Sequence, residues 1–340
     1  MDETPLVNRL LSGVVIFRLR GQYIYVRPAK AEDKAFADVY AQEFYEDCLL
    51  EGMLTQKDLQ DFAIESGWWN EEQDEKLKKL DENLEQMKLD YYNNFFKEDT
   101  RKYIKNNIDS LDKKILDLWN EKHLFFDKSC EYLRDYAKGL FIFKRCAFIN
   151  DKVIDDNFVP YNILYNSYLG QMLPDKKIRA AVKSPEWRIV WGSSKDVGAL
   201  FDIASCDLTQ EQLSAVSWSK FYDGINESVE RPPDEIIKDD LAIDGWSVSQ
   251  DRKRKEEEKR SQGEKLLSDN MGDAGEVFVP VKSQREQDQI LSLNDSYGKS
   301  VLKSKKKQFE KGGTFSESDL NHVKKEIQME GLRQAKESRR

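Results

Sequence analysis

Five carboxylates, Asp234, Glu235, Asp239, Asp240 and Asp244, stand within eleven residues in the stretch "DEIIKDDLAID". Hard oxygen ligands at short spacing are what Ca²⁺ or Mg²⁺ requires, so a divalent-metal site, and a metal-dependent enzyme using it, is the chemistry they could support. Registered on the calcium-binding loop from Asp240, Asp244 and Gly245 fall where a ligand and the turn glycine belong. Ala242, however, replaces an early ligand, and Asp251 stands in place of the closing bidentate Glu. The pattern fails at two ligand positions and no metal ligand is assigned. The favoured reading is an acidic helix capped by Asp234, with its acids near the positive end of the dipole, followed by a turn at Asp244-Gly245. Trp246 would then pin the end of that helix to the core.

Other chemistry is scarce. The chain has 2 histidines, His123 and His322, and neither accompanies a nucleophile elbow or a zinc-protease motif. No glycine-rich dinucleotide fingerprint is present. "YGKS" at 297–300 ends like a phosphate loop, but Leu293 stands where the first glycine should be. No catalytic residue and no cofactor is assigned, and a non-enzymatic protein is expected. Cys48, Cys130, Cys146 and Cys206 form no CxxC pair and read as free thiols in a reducing compartment.

Charge narrows the partners. Residues 247–340 hold 21 Lys and Arg against 17 Asp and Glu, which leaves 33 against 46 of the chain totals for residues 1–246. The acidic body should repel nucleic acid and anionic membranes. In "DRKRKEEEKR" the glutamates cancel much of the basic charge and no aromatic residue interleaves, so a salt-bridged solvated helix, with pairs such as Arg252–Glu256, is expected over a nucleic-acid tract. The first residues begin acidic and their apolar run is broken by Arg9 and Arg18, which reads as neither signal peptide nor membrane span. A soluble protein of the cytoplasm is expected.

The elements that would position these groups are mostly helical. "GVVIFRLRGQYIYVRP" reads as a β-hairpin turning at Gly21-Gln22 in a type II′ turn, which must pack on helices or pair with another chain. Phe36, Tyr40, Phe44 and Cys48 mark a helical stripe, and Thr55 caps a second helix ending at Gly67. Leu77, Leu80, Leu84, Met87 and Tyr91, then Ile104, Ile108, Leu111, Ile115 and Leu118, alternate steps of three and four. They predict either an antiparallel pair of long helices, the second capped by Asp99 or Thr100, or one continuous helix. Residues 123–246 are aromatic-rich and read as a helical core. Within it the Thr209–Gln212 capping box opens a helix with Leu213, Val216, Phe221 or Lys220, and Ile225 near one face. The expected organisation is a hairpin element at 1–29, a helical region with a long arm at 30–122, the core at 123–246, and a charged flexible tail at 247–340. That tail includes an extended segment at 276–281 and a terminal amphipathic helix with Leu320, Val323, Ile327 and Leu332 on one stripe. The fold class is mainly α.

One block supports a resemblance. Trp187, Trp191, Trp218, Tyr222, Pro233, Asp234, Asp239, Asp240, Asp244 and Trp246 fall in "WRIVWGSSKDVGALFDIASCDLTQEQLSAVSWSKFYDGINESVERPPDEIIKDDLAIDGW". This block resembles proteins of the tail-morphogenesis clusters of tailed bacteriophages, of the tail assembly chaperone or minor tail protein kind. The resemblance implies a non-enzymatic protein of the host cytoplasm, or of the virion tail, that engages the tape measure or other tail components. A permanent structural protein of the virion is the first alternative and the metal-dependent enzyme the second. Candidate partner-binding residues are Trp218, Tyr222, Asp239, Asp240, Asp244 and Trp246 in the body, with Leu320, Val323 and Ile327 in the tail.

Overall fold

The computed structural model describes residues 4–154, 158–194 and 197–268. Its elements are, in order, α1 (Thr4–Ser12), β1 (Val15–Leu19), β2 (Gln22–Val26), α2 (Ala31–Leu50), α3 (Gln56–Glu65), α4 (Glu71–Asn93) and α5 (Glu98–Lys122). After a 3-10 turn come α6 (Cys130–Cys146), β3 (Ala147–Ile149), β4 (Lys152–Val153), α7 (Tyr161–Leu169), α8 (Asp175–Lys183), α9 (Pro185–Ser193) and α10 (Val197–Phe201). A second 3-10 turn leads into α11 (Gln210–Glu227), α12 (Asp234–Lys238) and α13 (Asp240–Ser268). The class is mainly α, with a small antiparallel sheet. The fold described is that of the unit Met1–Val248; a second unit begins at Ser249, and its described part is the continuation of α13. The terminal stripe of Leu320, Val323, Ile327 and Leu332, and the segment at 276–281, lie outside the described residues.

The hairpin is present, with its turn one residue earlier than the sequence suggested. Leu19 pairs with Gln22, so Arg20 and Gly21 form the loop, and positive φ at both makes the turn type I′. That turn twists with the strands, and Gly21 takes its left-handed position without strain. The hairpin is not left to itself. β2 pairs with β3 and β3 with β4 across Asn150-Asp151, another loop with positive φ at both positions, so the sheet has four strands in the order β1-β2-β3-β4. Residues 147–153, read as part of a helical core, form a short hairpin of β3 and β4, because Cys146 ends its helix where β2 offers an open edge.

The inner face of the sheet, Val15, Phe17, Ile24 and Val26, packs with Phe143 of α6 and with Leu164 and Tyr165 of α7 to form one core. Helix α2 lies on α6 through Ala37, Ala41 and Cys48, while Phe36 and Tyr40 of the expected stripe are substantially exposed. Small residues win the buried face because they let two helix backbones approach.

The long periodic stretch is two helices. A turn after Asn93 reverses the chain, and the ion pair of Lys122 Nζ with Asp74 Oδ1 at 2.6 Å ties the end of α5 to the start of α4, which makes the pair antiparallel. Lys97 is the N-cap of α5, without a side-chain cap, so Asp99 and Thr100 lie inside the first turn. Two of the expected caps follow their signals: Thr55 with Asp58 and Thr209 with Gln212 form reciprocal capping boxes, and Asn70 with Gln73 forms a third.

The second core gathers α1, the arm, α8, α9, α11 and α13 around Trp187, Ile108, Ile225 and Ile243. Helix α1 was not foreseen, although Leu6, Val7, Leu10 and Leu11 have helical spacing; Val7 and Leu10 are buried. On α11 the buried stripe includes polar groups, Gln212, Ser219 and Tyr222 with Ala215, Val216 and Ile225, whereas Leu213 is exposed.

Candidate functional site

The carboxylate stretch does not form the element its spacing suggested. Pro233 occupies the N-cap of the short α12, and Asp234 is its first residue, paired with Arg231. The cap is Asp239, at the start of α13, whose Oδ1 accepts the backbone N–H groups of Leu241 and Ala242 at 3.0 and 3.1 Å. There is no turn at Asp244-Gly245 and the helix does not end at Trp246: both lie inside α13. Gly245 is the point where α13 crosses the arm. A Cβ placed there would sit 2.0 Å from the carbonyl oxygen of Lys88 in α4.

Each of the three later carboxylates meets a partner from another element. Arg179, on α8, reaches Asp244 Oδ1 with Nη2 at 2.8 Å and the Asp240 backbone carbonyl at 3.2 Å, while its Nε stands 3.2 Å from Asp240 Oδ1. Lys183, one turn on, donates to Asp240 Oδ1 at 2.7 Å and to the Lys238 carbonyl at 3.0 Å. Tyr222 of α11 donates to the same Asp240 oxygen at 3.2 Å, and Tyr91 of α4 donates to Asp239 Oδ2 at 3.0 Å. Four helices are therefore joined through one polar network.

Arg179 is its centre. Its side chain is 7% exposed, and its guanidinium lies 4.2 Å from the centroid of the Trp218 ring. Burial works against the charge, but the hydrogen bonds to Asp244 and Tyr222 outweigh it and raise the pKa above the ordinary arginine value. Burial likewise raises the Tyr222 hydroxyl, against the lowering effect of Arg179. Tyr91 is pushed up to about 12 by burial first and by Asp239 second. These phenols stay protonated and donate. A buried cation that spends its fork on two aspartates of one helix and its face on an indole orients and holds; such a pair is costly to break.

The six candidate residues of the body are thus placed together, with their polar atoms engaged inside the unit. Trp218 donates its indole N–H to Asp175 Oδ1 at 2.6 Å, and Trp246 is buried with its N–H 3.3 Å from the Glu230 carbonyl. Trp187 and Trp191, which share the resemblance, donate to Ser219 Oγ at 2.8 Å and Asp223 Oδ2 at 2.7 Å. The carboxylates a divalent ion would need are held by Arg179 and Lys183, and among the described residues no group of three or more His, Cys, Asp and Glu side chains is arranged to hold a metal. The sequence reading missed Arg179. Its signal was an arginine set among Ile178, Ala181 and Val182, all buried on a short helix, since a guanidinium on an apolar face needs carboxylates from elsewhere.

Apolar surface left open lies in another place. No side chain of helix α3 is fully buried, and only Gln56, Leu59 and Ala63 are half-buried. Leu59, Phe62 and Ala63 on it, Trp68 after it, and Leu124, Phe125 and Phe126 after α5, with Glu121 and Lys122, line a shallow cleft of about 10 Å³ that is open to solvent. Phe62 is 54% exposed, Leu124 51% and Phe125 44%. Trp68 meets Phe125 edge to face at 5.2 Å, and Trp119, His123 and Phe126 continue the aromatic surface at centroid distances of 4.2 and 4.5 Å. Sequence reasoning passed over it because Phe62 and Phe125 look like core residues until their neighbours are known.

No protein-family model, no curated protein and no solved structure matches this chain. Among the described residues no helix is long and apolar enough to cross a membrane.

Proposed function

We propose that the protein is a non-enzymatic interaction protein that receives a segment of another protein on its helical surface. The observation that carries this reading is the aromatic cleft beside α3: a helix with no fully buried side chain and with Phe62 and Ile64 exposed, facing exposed Leu124 and Phe125, is an apolar surface of the kind that marks protein interaction sites. The internal network of Arg179, Asp240 and Asp244 supports the same reading, because side chains committed to one another serve as a rigid base for a surface.

The resemblance of residues 187–246 to phage tail-morphogenesis proteins supplies the setting: the partner is the tape measure or another tail component, met in the host cytoplasm. Deletion of the coding sequence from the phage that carries it, with complementation in trans, tests the setting. Tailless heads in the deletion and restored tails on complementation are expected when particles are counted by electron microscopy. Normal tails without the protein overturn it.

A further inference from the structure

From the cleft beside α3 we infer the chemistry of its occupant: an amphipathic helix of a partner protein, with apolar residues at i, i+3, i+4 and i+7 and lysine or arginine along its flanks. This rests on the interaction reading above and narrows it.

Three observations lead there. The first is shape and composition. Leu59, Phe62 and Ala63 recur at helical spacing on α3, and Trp68, Phe125 and Phe126 close the other side, so the cleft runs along a helix and offers rings to a parallel or antiparallel neighbour. The second is how α3 is held. Its N-terminus is fixed by the Thr55–Asp58 capping box, by Gln56 N–H donating to Glu131 Oε2 at 2.8 Å, and by Cys130 N–H donating to the Leu54 carbonyl at 3.0 Å. Polar contacts hold this helix at its N-terminal end, and its apolar stripe is only partly covered, Leu59 and Ala63 being half-buried and Phe62 exposed.

The third observation, charge, selects the occupant. Helix α3 itself carries three carboxylates, Asp58, Asp61 and Glu65, against the single cation Lys57. Lys122, the cation in the lining, is held by Asp74 at 2.6 Å and lies 5.5 Å from the centroid of the Trp69 ring, while Glu121 beside it adds another carboxylate. An apolar surface beside a helix that is acidic on balance favours a basic-flanked apolar helix over an acidic one. It also disfavours a second copy of the same surface, which would bring acid against acid.

The test uses the full chain and a labelled probe peptide of about 18 residues, long enough to present a continuous face, with leucine at the four repeating positions and lysine elsewhere. A second peptide carries glutamate in place of every lysine. Fluorescence anisotropy should show saturable binding of the lysine peptide and none of the glutamate peptide. Phe62→Ser and Phe125→Ser, both at exposed positions, should each weaken binding about tenfold or more. Ile189→Ser, at a residue 72% exposed and outside the cleft, should leave it unchanged. Equal binding of both peptides, or unchanged affinity in the Phe62 and Phe125 variants, overturns the inference. So does concentration-dependent self-association of the wild type that Phe62→Ser abolishes, since a second copy would then be the occupant. A tail component that binds the Phe62→Ser chain as tightly as the wild type sinks the cleft and leaves the interaction reading standing. Normal tails in the deletion, with peptide binding intact, sink the phage setting alone.

Discussion

Replacing Gly245 by alanine sets two effects of opposite sign against each other. In a helix interior alanine is favoured over glycine by about 1 kcal/mol, because glycine loses more backbone freedom on folding. Gly245 sits inside α13, so propensity alone would make the substitution stabilising. The added Cβ, however, would lie 2.0 Å from the Lys88 carbonyl oxygen and 2.8 Å from Tyr92 Cβ, where real Cβ atoms essentially never come within 3.0 Å. Backbone cannot rotate away as a side-chain tip can, so α13 must retreat from α4 by roughly an ångström. That retreat loosens Ala242, Ile243 and Trp246 against Tyr91 and Phe95, all buried. Overpacking of this kind costs about 1–3 kcal/mol, occasionally more. A net loss of about 1 kcal/mol after the propensity gain is expected, which for a body of this size lowers the melting temperature by about 2–4 °C. Gly224, inside α11, is the matched control: nothing lies within 4 Å of its Cβ position. Gly224→Ala should raise stability by up to about 1 kcal/mol. Both are read from urea unfolding followed by circular dichroism. A Gly245→Ala protein as stable as Gly224→Ala would refute the close crossing.

Three further outcomes follow from the network and its surroundings. Arg179→Met should cost about 3 kcal/mol, because it leaves Asp244 without its cation, and adding Asp244→Asn should recover a good part of that loss; additive effects in the double-mutant cycle would show the pair uncoupled. Tyr91→Phe should cost about 1 kcal/mol through the lost bond to Asp239, measured as a shift in urea midpoint with unchanged slope. At alkaline pH the direction is set by phenols whose folded pKa lies above the unfolded value. Burial first, then Asp239, holds Tyr91 at about 12 against 10.0, and burial first, then Glu211, does the same for Tyr168. Above pH 10.0 the unfolded chain releases these protons while the folded one keeps them. Stability should therefore fall through the window from pH 10.0 to about 12, by about 1.4 kcal/mol per pH unit for each tyrosine. Urea midpoints that stay level across that window would remove both phenols from the account.

What was legible in the residues alone was whatever lies within a turn or two of itself. Thr55 and Thr209 announced their helices because the cap and its partner are three residues apart. The leucine and isoleucine seam announced the arm because its period is that of the helix. The turn at Arg20-Gly21 was nearly legible; its register waited on which residues would pair across it. Tertiary structure decided the rest. Asp244 and Arg179 are 65 residues apart in sequence, and no spacing rule joins them. Gly245 looked like a turn because glycine beside aspartate serves turns, yet the residue is needed where two backbones cross. Phe125 fell in the stretch read as core, and whether a ring is covered depends on elements distant in sequence. Local signals carry their own partners; a charge on an apolar helix face or an aromatic ring on a surface acquires its meaning only from what the fold brings against it.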